Sequence, residues 1–208
     1  MASYRLIYFD FDGGRGEPVR VAFHAAGIEF EDERWTFPEF QEKRGDTRFN
    51  AVPVLEIDGN AFTQSTAMCR YIGRMAGLYP EDHLQALNCD EVMDATEDLT
   101  HIIVRTFGLE GEALKEAREA LASGWINTFL NGLNELLERG GGEYFADNRL
   151  TMADLKTFLI VRWLMSGALD HVPTDIVENV APALVTHHDR VSADPIVTAY
   201  YASRSCDG

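Results

Sequence analysis

Ala51-Val52-Pro53-Val54-Leu55-Glu56-Ile57-Asp58-Gly59-Asn60-Ala61-Phe62-Thr63-Gln64-Ser65 is the stretch that decides the fold. Two short apolar runs, Val54–Ile57 and Ala61–Thr63, flank Asp58-Gly59-Asn60. An Asp-Gly turn between such runs reads as a β-hairpin, because a tight hairpin turn needs residues that tolerate positive φ. Ser65 can cap a helix that runs to Met75 and stops at Gly77. Upstream, residues 4–9 are aromatic and β-branched and read as a strand. Residues 16–26 read as a helix, with Pro18 in the first turn, Gly27 at the end and Val19, Ala22, Phe23 and Ala26 on one face. Residues 28–34 can be a second strand, and 38–50 a loop or irregular helix. The order is β-α-β, then β-β-α.

After Pro80 every long segment reads as helix. Residues 85–107 form one; 112–138 form another, with Trp125, Phe129, Leu133, Leu136 and Leu137 on one side. Gly140-Gly141-Gly142 breaks the pattern, and Thr151 to Asp154 is a capping-box start to an apolar helix reaching about Leu164. Shorter helices near 175–191 and 194–203 finish the chain. The expected fold class is therefore α/β plus all-α, with an α/β domain over 1–79 and an all-helical domain over 80–208.

The 208 residues are 46% apolar and 25% charged, as in folded globular chains, with a net charge of −16. That charge excludes nucleic acid as the main partner and argues against an anionic membrane surface. Residues 1–80 carry nine basic and twelve acidic side chains, and 81–208 carry nine and twenty-two. An anionic ligand would thus favour the first domain. No apolar run is long enough to span a membrane, the N-terminus lacks signal-peptide features, and Cys69, Cys89 and Cys206 are scattered. These features fit a cytoplasmic location.

Gly13-Gly14-Arg15-Gly16 lies where phosphate loops occur, but it lacks the Gly-Lys-Ser/Thr ending and the dinucleotide spacing. It reads as a glycine turn that places Arg15. No metal site is expected, because the six histidines show no ligand spacing, and His187-His188 read as a solvated helix face. Glu29 to Glu33 reads as a solvated strand edge rather than as paired catalytic carboxylates.

Several motifs recur in a distinctive order: Tyr8-Phe9 ends the first strand, then come Gly14-Arg15-Gly16-Glu17-Pro18, Ala51 to Gly59, Gln64-Ser65, Arg70-Tyr71-Ile72, Asp98 and Asn148 to Asp154. The set resembles cytosolic glutathione transferases over the whole chain. The nearest class is sigma, which includes haematopoietic prostaglandin D synthase and helminth and mollusc transferases. The resemblance implies a thioredoxin-like N-terminal domain that binds glutathione as co-substrate. It also implies a helical domain that supplies an electrophile half-site and the contacts of a homodimer.

The chemistry of glutathione agrees. A thiolate, not a thiol, is the nucleophile, and a phenol can donate a hydrogen bond to it. Taken singly, Tyr8 reads as a half-buried strand tyrosine; the resemblance implies that it is the catalytic residue, with Arg15 as its positive partner. The resemblance assigns Gln64 and Ser65 to the γ-glutamyl end, where the helix N-terminus favours a carboxylate; plain capping is compatible with that role. It assigns the Val52 backbone, before a cis Pro53, to the cysteinyl part, and Asp98 to the partner subunit's glutathione. At the glycine end, Phe40 and Arg44 stand where the family has tryptophan and lysine. Arg44 keeps the cation, whereas Phe40 lacks an indole N–H, a loss of about 1–3 kcal/mol if nothing replaces it. Phe9, Phe11, Arg105, Phe107 and Tyr201 fall at electrophile-pocket positions.

One departure stands out. Arg15 follows Tyr8 by seven residues, where the sigma pattern has six, and the longer loop carries Asp10 and Asp12. Those acids could offset Arg15 or displace it. The implied reaction is thiolate attack on hydrophobic electrophiles, with conjugation and peroxide reduction as outcomes. The alternatives are a catalytically weak structural protein, as in the crystallins on this scaffold, and a glutathione-dependent isomerase.

Overall fold

The computed structural model describes residues 2–204; Cys206 lies outside them. The first elements are β1 (Tyr4–Phe9), α1 (Glu17–Ala26), β2 (Glu31–Trp35), α2 (Phe37–Lys43), a 3₁₀ turn at Arg44–Asp46, β3 (Val54–Ile57), β4 (Asn60–Thr63) and α3 (Ser65–Met75). Helices follow: α4 (His83–Val104), α5 (Gly111–Ser123), α6 (Trp125–Arg139), α7 (Met152–Met165), α8 (Ile176–Val180), α9 (Pro182–Ser192) and α10 (Pro195–Arg204). The chain forms two compact units. Of the described residues, one takes Ala2–Tyr79 and Ala199–Arg204; the other is Pro80–Thr198.

In the first unit a mixed four-stranded sheet has the order β2-β1-β3-β4. β1 runs parallel to β2 and antiparallel to β3, and β4 is antiparallel to β3. This is the thioredoxin-like arrangement. Leu6, Leu55, Val19, Ala22, Phe23, Cys69 and Ile72 are at most 1% exposed and form its core. The acidic strand is an edge, as its composition requires. Arg5 of β1 bridges Glu33 of β2 at 2.8 Å and Glu56 of β3 at 2.6 Å, tying three strands together.

Register sets the site. Ile7 pairs with Val54, and Val54 pairs with Thr63. The residues beyond those pairs, Tyr8, Val52-Pro53 and Gln64-Ser65, therefore all lie at one end of the sheet. Phe9 pairs with Trp35, which brings Thr36 and the start of α2 to the same end. The Val52–Pro53 peptide is cis.

The helical unit corrects several expectations. The single helix over 112–138 is two, because Gly124 takes φ −123° and ψ −99°, outside the helical well. The helix near 175–191 is also two. Pro182 opens α9, where its missing N–H is harmless. The buried stripe of α6 is Ile126, Leu130, Leu133 and Leu137, and Trp125 is 58% exposed. At about 100° per residue, Trp125 stands off the stripe that Ile126 begins.

His187 is not on a solvated face. It is fully buried, with Nε2 2.9 Å from the Asp154 carboxylate. Asp154 also accepts the N–H of Phe145 and both the N–H and hydroxyl of Thr151, completing the expected capping box. Lys156 of α7 is buried and paired with Glu97 of α4 at 2.7 Å.

Candidate active site

Tyr8 ends β1 with only 4% of its surface exposed. It joins Ile7, Trp35, Val52 and Val54 in one apolar cluster, against which Phe9 and Phe40 pack. The Tyr8 oxygen accepts a hydrogen bond from the backbone N–H of Arg15 at 2.9 Å. The longer loop therefore brings Arg15 to the phenol by its main chain.

The glycines of the loop answer to Tyr8. A Cβ on Gly14, at φ +61°, would stand 2.5 Å from the phenol oxygen; one on Gly16 would stand 2.5 Å from the ring. Neither approach is possible for a real side chain, so the ring rests on bare backbone. The glycine turn thus seats the phenol as much as it places Arg15.

Arg20, which the sequence reading did not single out, is a cation close to the ring. It is completely buried on α1, with its guanidinium carbon 5.7 Å from the Tyr8 ring centroid. It bonds Glu17 at 3.2 Å and Asp32 at 2.9 Å, and donates to the carbonyls of Phe11 and Phe9 at 3.1 and 3.4 Å. A charged pair three residues apart beside the apolar stripe of α1 was the available signal. Such a pair is tolerated in a core only when its donors are satisfied.

Phe9 organises an aromatic shelf. It stacks on Phe37 at 4.8 Å and on Phe11 at 5.9 Å between centroids, and meets Phe40 edge-on at 5.0 Å. Phe37 was another residue missed in the sequence, and it is 57% exposed. The Trp35 indole N–H is directed to Glu33 at 2.6 Å. Arg44 is exposed in the turn after α2, with Lys43 beside it over the Trp35 ring at 5.2 Å.

Gln64 is exposed, with φ +75°, immediately before α3. It is the N-cap; Ser65 is the first helical residue, 5% exposed, which corrects the expectation that Ser65 caps the helix. Left-handed backbone in a glutamine is strained and concentrates at sites where geometry is over-determined.

Two family models cover the chain: the glutathione S-transferase N-terminal domain matches residues 5–74 and the C-terminal domain residues 97–204. The second match alone spans more than half of the sequence.

The chain belongs to the glutathione S-transferase family.

Among relatives of this transferase, glutathione S-transferase 3 of Caenorhabditis elegans is 36% identical over 160 residues, covering 74% of this chain and 77% of that one. The structure of prostaglandin synthase D of Nilaparvata lugens aligns with a TM-score of 0.84 at 29% identity, over 97% of this chain and 98% of that one. The sigma-class transferase of Fasciola hepatica aligns with a TM-score of 0.82 at 25% identity, over 98% and 97%.

The remaining expected residues are described within their own units. Asp98 is exposed on α4, and Arg105 is exposed just after that helix. Phe107 is 47% exposed, edge-on to Trp163 at 6.1 Å and with the Arg118 guanidinium 6.0 Å from its ring. Tyr201 is half-buried against Tyr200, 4.9 Å between centroids. Cys89 is buried and not a candidate nucleophile, because burial pushes its thiol up to about 12. Among the described residues no group of three or more His, Cys, Asp or Glu could hold a metal ion, and no helix is long and apolar enough to cross a membrane.

Proposed function

We propose that this transferase binds glutathione at the sheet end carrying Tyr8 and ionises its thiol for attack on hydrophobic electrophiles. The observation that carries the reading is the Arg15 N–H on the Tyr8 oxygen. A phenol whose oxygen accepts one hydrogen bond keeps its own proton to donate, and its O–H is polarised by the bond it accepts. A thiolate is an acceptor, so this phenol stabilises the anion over the thiol.

The backbone of Val52 would pair with the cysteinyl part beside cis Pro53, and Gln64 and Ser65 would hold the γ-glutamyl end at the start of α3. Arg44 would take the glycine carboxylate, with Phe40 beneath. Phe9 and Phe11 would face an apolar electrophile, joined by Phe37. Arg105, Phe107 and Tyr201 are proposed as further electrophile contacts, and Asp98 as a contact to glutathione across a homodimer, on the family pattern. In the reaction the thiol proton leaves to solvent, sulfur bonds the electrophilic carbon, and the leaving group departs with its electron pair. A cytoplasmic, detoxifying role is proposed with it, on the family pattern.

The test is the ultraviolet difference spectrum of the protein with glutathione across pH. Thiolate absorbance that saturates with glutathione well below the free thiol's pKa is expected. Glutathione binding without ionisation would overturn the reading and favour a structural protein on the same scaffold. High turnover of a single endoperoxide, with no conjugation of aryl halides, would favour an isomerase.

A further inference from the structure

The loop between Phe9 and Arg15 is held at three places. Arg20 donates to the Phe9 and Phe11 carbonyls at its start, and the Arg15 N–H reaches Tyr8 at its end. Between them Gly13 and Gly14, at φ 147° and 61°, give the segment the freest backbone a chain can have. The middle is held by Asp12. One oxygen of its carboxylate lies 3.0 Å from Arg34 of β2 and 3.0 Å from Arg204 of α10.

These contacts belong to one connected set. Arg34 also bonds Asp32 at 2.8 Å and stands 3.6 Å from Asp10. Arg204 is 3.9 Å from Asp32, Arg20 is 2.9 Å from the other Asp32 oxygen, and Tyr200 donates to Glu17 at 3.2 Å. The two acids of the longer loop thus face Arg34 and Arg204. Partial burial raises the Asp12 carboxyl, but Arg34 and Arg204 outweigh it and hold the group below the usual carboxylate range.

We propose that Asp12, clamped by Arg34 and Arg204, is a positioning residue for Tyr8: the clamp fixes the long loop so that the Arg15 N–H stays on the phenol oxygen. This rests on the reading that Tyr8 ionises glutathione. The last turn of α10 thereby contributes to thiol activation without touching the reactants. Ion pairs this exposed add little to global stability. The clamp's effect is on the loop, where a small displacement changes the aim of the phenol.

The experiment compares the full chain with Asp12→Ala, Arg204→Ala, Arg204→Lys and the double variant Asp12→Ala/Arg204→Ala. Glutathione is the ligand and an aryl halide the probe electrophile. Each alanine variant should raise the pKa of the bound thiol by about half a unit to one unit, which lowers kcat near pH 6.5 by about 3- to 10-fold. KM for glutathione and Tm should stay close to wild type. Arg204→Lys should recover most of the loss, and the double variant should be no worse than the worse single one. Variants with the wild-type thiol pKa, or losses that simply add, would overturn the clamp. A variant that unfolds would overturn it also, unless Asp12→Asn folds and shows the shifted thiol. A wild type that forms no thiolate would overturn the function reading and the clamp together. One that forms it while every variant matches it would overturn the clamp alone.

Discussion

Tyr8 depends on what its neighbours lack. Gly14 and Gly16 leave room for its oxygen and ring, and any side chain at either would displace it. Gly16→Ala should therefore cost about 1–3 kcal/mol in urea unfolding, the usual range for overpacking, and lower thiolate formation in whatever folds. A variant with wild-type stability and wild-type kinetics would show that the contact yields easily. Tyr8→Phe removes only the donor. It should leave the glutathione Kd within a few-fold while raising the bound thiol's pKa, as seen by thiolate absorbance. Unchanged conjugation kinetics would remove Tyr8 from the mechanism. Arg20 belongs to this scale too: its four donations make it a fixed cation under the ring.

Among the elements, α7 shows how a cap and a core can be one device. Asp154 takes four hydrogen bonds, from Phe145, from Thr151 twice and from His187, and is itself fully buried. Asp154→Ala would strand those donors, and about 3 kcal/mol of stability should be lost in urea unfolding. A loss under about 1 kcal/mol would mean that water replaces the carboxylate. The cap was legible in the sequence because Thr151 and Asp154 are three residues apart. The His187 bond was not, because its partner is thirty-three residues away and two adjacent histidines look the same as an exposed pair.

For the whole molecule, charge and assembly govern the expected behaviour. Arg34 and Arg204 hold the Asp12 carboxyl below the usual carboxylate range, so what its ion pairs contribute is present above that range and lost as pH falls through the lower folded value. The pairs are exposed and add little to stability, so acid titration should be only slightly flatter for Asp12→Asn than for wild type below about pH 4. Identical curves would show that Arg34 and Arg204 find equal partners elsewhere. At the level of assembly, Asp98→Ala should weaken glutathione binding measured by calorimetry if the site is shared in a homodimer. An unchanged Kd would count against a shared site, and sedimentation as a monomer would remove the dimer itself.

The sequence by itself determined the element order, the hairpin at Asp58-Gly59, the helical second half and the residue types of the candidate site. These rest on local periodicity, turn chemistry and short spacings, which lie within a few residues of one another. Helix breaks at Gly124 and Ala181, the true face of α6 and the role of Gln64 as N-cap escaped it, because backbone angles at single residues have no periodic signature. Only the tertiary structure decided what surrounds Tyr8. Arg20, Phe37 and Arg204 reach the phenol or its loop from three separate helices or helix starts, and their partners Asp32, Phe9 and Asp12 lie elsewhere in the chain. Register brings Val54 beside both Ile7 and Thr63, and so gathers three distant segments at one end of a sheet. Such encounters follow from strand pairing and packing across the chain, which no window of neighbouring residues contains.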